Sequence, residues 1–155
     1  MTTGEIGFDF LPGTDLGVSK LTATVFEVAN PPSVPADLET KVIRTDQAWG
    51  ARIQFETTGA ATSWLTGTWH VGLYLESIGP GPELELGIQH VPLTPGANPA
   101  YDVTLNVPAG AVGPVPDHQT RPFKLVTCVS YMMPDDTPGP MAGYIEGPIL
   151  QFYNP

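Results

Sequence analysis

Glycine and proline interrupt this chain so often that few segments are long enough to form a helix. The sequence contains 17 glycines and 18 prolines among 155 residues, and the longest stretch without either is residues 36–49. Proline lacks the amide hydrogen that a helix interior requires, and glycine costs roughly 1 kcal/mol there relative to alanine. Both residues stand between apolar segments, without the regular period of collagen. This spacing predicts short strands joined by turns.

Between these interruptions, apolar and polar residues alternate with a period of two, which is typical of a strand with one buried face. The segment TWHVGLYLE alternates in this way from Trp69 to Leu75, and AYDVTLNVP does so from Tyr101 to Val107. WGARIQFET does the same and places on one face Trp49, Ala51, Ile53 and Phe55. The phase of the pattern predicts that Trp69 belongs to the hydrophobic core.

Two other segments resemble strands but are less regular. LTATVFEV changes phase near Val25 and Phe26, which predicts a β-bulge or a strand that passes from one sheet to the other. ELELGIQHV alternates from its first residue, so the sequence predicts that Leu84, Leu86 and Ile88 all point inward.

The remaining strand-like segments depart further from simple alternation. FKLVTCVSYMM is apolar on both faces, as expected of a central strand that is covered on both sides. GYIEGPILQFY contains Pro148, which cannot donate a hydrogen bond to a neighbouring strand, so we expect an edge strand that is broken there. LETKVIRT, residues 38–45, is rich in β-branched residues, which favours a strand over a short helix.

Together these segments predict an all-β fold, a single antiparallel β-sandwich of roughly seven to nine strands, with a jelly roll as the alternative topology. Residues 20–155 are expected to form the sandwich domain. Residues 1–19 are expected to form either an N-terminal arm that reaches a neighbouring molecule or a first strand of the same domain.

The order and spacing of the segments resemble an immunoglobulin-like or fibronectin-type sandwich over residues 20–153. In that resemblance, strands B, C, E, F and G correspond to residues 49–57, 68–77, 101–107, 123–133 and 144–153. The paired cysteines of antibody domains are absent, because Cys128 is the only cysteine. The resemblance implies a role in binding, adhesion or scaffolding more often than in catalysis.

The charge of the chain excludes several classes of partner. Asp and Glu number 16 against six Lys and Arg, which gives a formal net charge of −10. Nucleic acids and anionic membranes require a basic surface, so we expect neither as a partner. The N-terminus lacks the pattern of a secretory signal, and no segment approaches the ~20 apolar residues of a membrane helix. The expected location is therefore cytoplasmic or particle-associated.

The sequence also lacks a recognisable catalytic constellation. No GxSxG motif surrounds a serine, and Glu83 and Glu85 are expected to be a solvated edge of a strand and not an acid–base pair. Cys128 has apolar neighbours and no adjacent base, which predicts a buried, unreactive thiol. We therefore expect the protein not to be an enzyme.

The three histidines do not form a metal-binding motif. His70, His90 and His118 are far apart in the sequence, and no close pair such as HxH or CxxC accompanies them. The sequence therefore predicts neither a metal ion nor another cofactor.

Five apolar residues fall outside the alternating pattern of the core or flank the predicted F–G hairpin. In an immunoglobulin-like arrangement, the B–C and F–G loops share one end of the sandwich. The sequence therefore predicts one partner-binding patch, formed by Trp64, Leu65, Met132, Met133 and Met141. The partner is expected to be a protein, either a different one or a second copy of this chain. The favoured function is a non-catalytic structural or protein-interaction domain that forms or decorates a protein assembly.

Two alternatives remain open for these residues. Trp64 can instead fold down to plug the open end of the sandwich, because large apolar side chains usually find cover. A small-ligand function, most plausibly carbohydrate binding, would use the aromatic faces of Tyr74 and Trp64 together with the amide of Gln54.

Overall fold

Nine β-strands arranged in two packed sheets form the described part of the chain. The computed structural model describes residues 2–7, 17–28, 39–59, 65–93 and 100–155, the first of these segments as backbone only. The strands are β1 (Thr2–Gly7), β2 (Gly17–Glu27), β3 (Val42–Arg44), β4 (Trp49–Thr58), β5 (Thr68–Ser77), β6 (Glu83–Pro92), β7 (Ala100–Val107), β8 (Thr120–Met132) and β9 (Pro138–Tyr153). The predicted all-β sandwich is confirmed.

The order of strands in the two sheets agrees with the immunoglobulin-like prediction. One sheet has the order β1-β2-β4-β7, and the other has the order β3-β9-β8-β5-β6. Strands β4 and β7 pair as strands B and E, and β5, β8 and β9 pair as strands C, F and G. The short strand β3 departs from the antiparallel pattern because it pairs with β9 in parallel.

The core lies between the sheets and is built around aromatic residues from both of them. Trp69 is fully buried, as its phase predicts, and its ring meets that of Phe55 edge-on with centroids 5.2 Å apart. The Phe55 ring stacks on Tyr101 at 4.9 Å. Burial of each such side chain contributes roughly 1.5–3 kcal/mol, so this cluster joins the two sheets firmly.

Strand β2 contains a bulge, but not where the sequence predicts it. The register against β4 shifts between Ser19 and Thr22, next to Lys20 with φ 54°. The change of phase at Val25 and Phe26 has another cause. Phe26 points away from the core and lies on Gly50, where a Cβ atom would come within 2.7 Å of the Phe26 ring. Val25 and Phe26 are therefore both buried, on opposite faces of the sheet.

Strand β6 corrects the prediction for Ile88. The register against β5 shifts beside Leu73, which pairs with Gly87, while the next residue of β5 pairs with Glu85. Leu86 is an extra residue in β6, and it reverses the face of the sheet to which each later residue of β6 points. Leu84 and Leu86 are partly buried against the core as predicted, but Ile88 points outward and is 46% exposed.

Strands β8 and β9 also differ from their predicted environments. The outward side chains of β8 are partly exposed, so the strand is covered on one face and not on both. Strand β9 is not an edge strand at its C-terminal end, because residues 151–153 pair with β3. Its register against β8 shifts at Gly147–Pro148, and proline is tolerated at such an irregularity.

The N-terminal part of the chain contributes to the four-stranded sheet. Strand β1 pairs antiparallel with β2, and β2 begins at Gly17, within the segment that was predicted to be an arm or a first strand. The segment LETKVIRT forms the predicted strand over its residues Val42–Arg44.

Candidate functional site

The outward surface of the five-stranded sheet combines exposed apolar residues with a flat floor, and we call it the apolar face. It is formed by the outward residues of β3, β9, β8, β5 and β6. Its exposed large apolar side chains are Val42, Ile88, Tyr144 and Ile149. Tyr144 is 61% exposed, which is the largest fraction among them. No described strand covers this face.

The centre of the apolar face consists of two neighbouring rows of residues, each row being a set of residues that pair with one another across β9, β8, β5 and β6. The first runs through Tyr144, Cys128, Gly72 and Ile88, and the second through Glu146, Val126, Tyr74 and Glu85.

Gly72 gives this centre its flat shape. A Cβ atom at Gly72 would lie 3.0 Å from the Tyr74 hydroxyl and 2.9 Å from a carbon of its ring. The absence of a side chain at Gly72 therefore allows the Tyr74 ring to lie against the sheet. The floor between Tyr144 and Ile88 is flat as a result.

The titratable groups in this floor are held in their neutral forms. Burial raises the pKa of the Cys128 thiol. Burial also raises the pKa of the Tyr74 hydroxyl, and the nearby Glu85 carboxylate raises it further. Both groups ionise only well above neutral pH in any case, so neither the Cys128 thiol nor the Tyr74 hydroxyl is charged at pH 7.

One end of the apolar face is acidic. The Lys124 ammonium lies 3.2 Å from a carboxylate oxygen of Glu76 and 3.1 Å from one of Glu146. Glu83 and Glu85 add two further carboxylates on β6. Among the described outward side chains of β5, β6, β8 and β9, four glutamates therefore face one lysine, which leaves an excess of negative charge.

A pair of histidines lies on the other side of the floor. His70 on β5 and His90 on β6 are directly opposite each other, and their rings are parallel within 2° with centroids 4.0 Å apart. Burial lowers the pKa of His70, and so does the neighbouring His90, while Asp136 acts in the opposite direction. These contacts favour the neutral imidazole at His70.

The outward surface of the four-stranded sheet has a different character. Arg52 donates hydrogen bonds to both carboxylate oxygens of Asp102, and Gln54 donates one of 3.4 Å to the same carboxylate. Lys20 and Glu56 form a further ion pair at 3.2 Å. A shallow groove of about 460 Å³ is lined by Lys20, Gln54, Glu56 and Asp102 among others. The polar groups of this surface bond to one another. On β2, β4 and β7, the strands of this sheet whose side chains are described, no large apolar residue is exposed.

The five residues predicted to bind a partner do not form one surface. Trp64 lies outside the described residues, so its role stays a prediction. Leu65 is partly buried and packs against the core, while Met132 is partly exposed on the outward side of β8. Met133 is 37% exposed beside the β8–β9 turn. Met141 is a correction, because it is 1% exposed in the core and offers a partner no side-chain surface.

The B–C loop, before β5, and the F–G loop, after β8, were expected to lie at the same end of the sandwich, and their described residues do meet. The Tyr131 hydroxyl donates a 2.6 Å hydrogen bond to the Thr66 carbonyl oxygen. Gly67 also lies against the Met132 carbonyl group. The end of the loop before β5 therefore packs on the end of β8.

The residue set proposed for a small ligand also requires correction. Tyr74 points outward from the five-stranded sheet, whereas Gln54 points outward from the four-stranded sheet. They lie on opposite surfaces of the sandwich, so one small ligand cannot contact both. The third member, Trp64, is outside the described residues.

The exposed residues Ile88, Tyr144 and Ile149 of the apolar face were not predicted from the sequence. Tyr144 alternates with the buried Ile145, and this alternation could have predicted that Tyr144 points outward. The phase of Ile149 was hidden by the shift at Gly147–Pro148, and that of Ile88 by the bulge at Leu86.

Two kinds of site are not found among the residues that the structure describes. No group of three or more His, Cys, Asp or Glu side chains is arranged to hold a metal ion there. The same residues include no helix that is long and apolar enough to span a membrane.

Comparisons with known proteins reveal only distant similarity. No family model matches the chain, and no curated protein matches it at a significant level. A similar solved structure is a β-glucosidase involved in saponin metabolism from intestinal bacteria, with 17% sequence identity, a TM-score of 0.44, and coverage of 90% of this chain and 17% of that one. Another is a β-glucosidase from Kluyveromyces marxianus, with 14% identity, a TM-score of 0.30, and coverage of 88% and 15%. The chain thus spans less than a fifth of either protein, and similarity this low supports no inference about activity.

Proposed function

We propose that this chain is a non-catalytic protein-interaction domain that binds a basic, partly apolar protein surface through its apolar face. The observation that carries the proposal is the distribution of exposed apolar residues. On the strands whose side chains the structure describes, β2 to β9, the exposed large apolar residues all point outward from the five-stranded sheet: Val42, Ile88, Tyr144 and Ile149. Exposed apolar residues concentrated on one surface are typical of interaction sites.

The chemistry of the centre supports a protein as the partner. Tyrosine is enriched where protein interfaces contribute most of their binding energy, and Tyr144 is paired with Cys128, one row away from Val126. Met132 lies at the end of the same face, and methionine adapts its shape to varied apolar partners. A surface that is aliphatic and aromatic in this way matches an apolar side chain better than it matches a sugar.

The charge around the centre supports a basic partner. The excess of glutamate on β5, β6 and β9 agrees in sign with the net charge of the whole chain. Complementary charge increases the rate of association and disfavours partners of like charge. The acidic end also disfavours a second copy of this chain that presents its own acidic end, so we place self-association second to a basic partner.

A carbohydrate remains the alternative ligand, now at a different position. Tyr144 is an exposed aromatic ring with the Glu146 carboxylate on the same side of its strand, and sugar sites combine such groups. The aliphatic neighbours Ile88 and Ile149 favour a protein over a sugar.

Photo-crosslinking tests which surface the partner contacts. A photoreactive amino acid at position 144 is compared with one at position 104, where exposed Thr104 points outward from the opposite sheet. The protein crosslinked at position 144 is then identified and purified. Its dissociation constant is measured with the wild type, Ile88→Ser, Tyr144→Ser and the control Thr104→Ser.

We expect both substitutions on the apolar face to weaken binding at least about tenfold, because central aromatic and apolar contacts dominate interface energies. The control should bind as the wild type does. Crosslinking at position 104 in place of 144, or equal affinity for all variants, contradicts the proposal. If the protein forms oligomers and Tyr144→Ser dissociates them, the partner is a second copy of this chain. If the protein binds a sugar saturably and Tyr144→Ser abolishes that binding, the carbohydrate alternative is correct.

A further inference from the structure

We infer that His70 and His90 form a two-histidine site for a divalent transition-metal ion of the zinc, nickel and copper class. The two residues are 20 positions apart in the sequence, and the pairing of β5 with β6 brings them directly opposite each other. Imidazole is a favoured ligand of these ions in proteins. The inference stands on this pair alone and does not depend on the proposed function.

The two imidazole rings are near enough to reach one metal ion. A zinc ion binds imidazole nitrogen at about 2.0–2.1 Å, so two nitrogens at a tetrahedral angle lie about 3.3 Å apart. The His70 and His90 rings are parallel with centroids 4.0 Å apart. The rings are thus near enough for both to reach one ion, once the two side chains turn out of the parallel stack and the lone pairs of one nitrogen from each ring converge.

The surroundings of the pair suit an ion with open coordination positions. His90 is exposed and His70 is partly exposed, so solvent reaches the site. The neighbours of His70 and His90 in the same row are the small residues Ser130 and Ala142. No third His, Cys, Asp or Glu ligand is in place among the described residues, so water would complete the coordination shell.

Such an ion would join the outermost strand to the rest of the sheet. Strand β6 is the edge of the five-stranded sheet, and its register is interrupted by the bulge at Leu86. His90 lies beyond that bulge, in the part of β6 that follows the irregularity. A metal ion shared with His70 would hold this part of β6 against β5.

Calorimetric titration of the tag-free protein with NiCl₂ and, separately, with ZnCl₂ tests the site. We expect one ion per chain, and no comparable binding of MgCl₂, which prefers oxygen ligands. His70→Asn and His90→Asn should each weaken nickel binding at least about tenfold, because the second ligand acts at a high effective concentration once the first is bound. His118→Asn is the matched control and should bind nickel as the wild type does.

A second measurement separates chelation from misfolding. Hydrogen exchange of the amides of β6 should slow on addition of NiCl₂ in the wild type and in His118→Asn, but not in His70→Asn or His90→Asn. Cys128→Ser should behave as the wild type, because the thiol is not one of the two ligands. Nickel affinity that is equal in wild type and His90→Asn, or that depends on His118 or Cys128, would overturn the inference, and the pair would then be an ordinary cross-strand stack.

Discussion

Two glycines show how the absence of a single side chain sets the position of its neighbours. Gly72 leaves room for the Tyr74 ring to lie on the sheet, and this gives the apolar face its flat centre. Gly67 has φ 135°, and a Cβ atom there would overlap the Met132 carbonyl oxygen. The first glycine accommodates the movable end of a side chain, whereas the second accommodates backbone that is fixed within a strand.

We therefore predict that Gly67→Ala lowers the free energy of unfolding by more than about 2 kcal/mol, because backbone strain and overlap with a carbonyl group add together. Gly79→Ala is the matched control, since Gly79 also has a positive φ of 89° but no atom within 4 Å of the added Cβ. Its cost should be about 1 kcal/mol. Urea unfolding of both variants measures the difference, and equal losses would show that the contact with Met132 is unimportant.

Short elements of this fold depend on the core more than on their own hydrogen bonds. Strand β3 has three residues, of which Ile43 is fully buried while Val42 and Arg44 are exposed. It pairs with the last residues of β9, which include the buried Phe152. A strand this short gains most of its stability from the single side chain that it places in the core.

Ile43→Ala should therefore cost about 2–5 kcal/mol of unfolding free energy, the usual range for an isoleucine removed from a core. Val42→Ala, one residue earlier on the outward side, should change it by less than about 0.5 kcal/mol. Thermal or urea unfolding compares the two variants with the wild type. If both substitutions cost the same small amount, β3 is not held by its buried residue.

At the scale of the whole molecule, the two outer surfaces of the sandwich have different chemistry. One is polar, with side chains that pair among themselves, and the other is apolar with an acidic end. Both belong to a molecule of net charge −10, in which arginine or lysine side chains stabilise several carboxylates. Stability should therefore depend on pH in the acid range.

Hydrogen bonds from Arg44 and Arg52 lower the pKa of Asp46 and Asp102, and hydrogen bonds from Thr137 lower that of Asp135. A carboxyl whose pKa is lower in the folded state stabilises the fold above the unfolded value, here 3.8, and loses that contribution as the pH falls further. We predict a small decline in the free energy of unfolding between pH 7 and about pH 5, because the pKa of His70 is lowered in the fold and the unfolded chain takes up that proton first. A further decline follows below about pH 4, where the three carboxyls lose their contributions.

Urea unfolding at a series of pH values measures this decline, and Asp102→Asn provides the control. The Asp102 side chain is 46% exposed, so solvent screens its pair with Arg52 and its contribution is under about 1 kcal/mol. The variant should be slightly less stable than the wild type at pH 7, and the difference should vanish in strong acid. A difference that persists there would indicate a cause other than ionisation.

The sandwich could be predicted from the sequence because the evidence for it is local. Interruptions by glycine and proline limit the length of each element, and alternation as in TWHVGLYLE fixes both the strand and its buried face, with Trp69 in the core. The immunoglobulin-like order of the strands followed from the spacing of these segments. The predicted phase agreed with the structure throughout WGARIQFET, TWHVGLYLE and AYDVTLNVP, whereas in ELELGIQHV it failed at Ile88.

The residues that share a surface could not be predicted in the same way, because they depend on the register between strands. One extra residue at Leu86 turned Ile88 outward, and packing in the core removed Met141 from the predicted patch. Tyr74 and Gln54 were separated because their strands belong to different sheets, while His70 and His90 were brought together because theirs are neighbours. None of these relations appears in the local pattern of a single strand, which is why the fold was predictable and the candidate site was not.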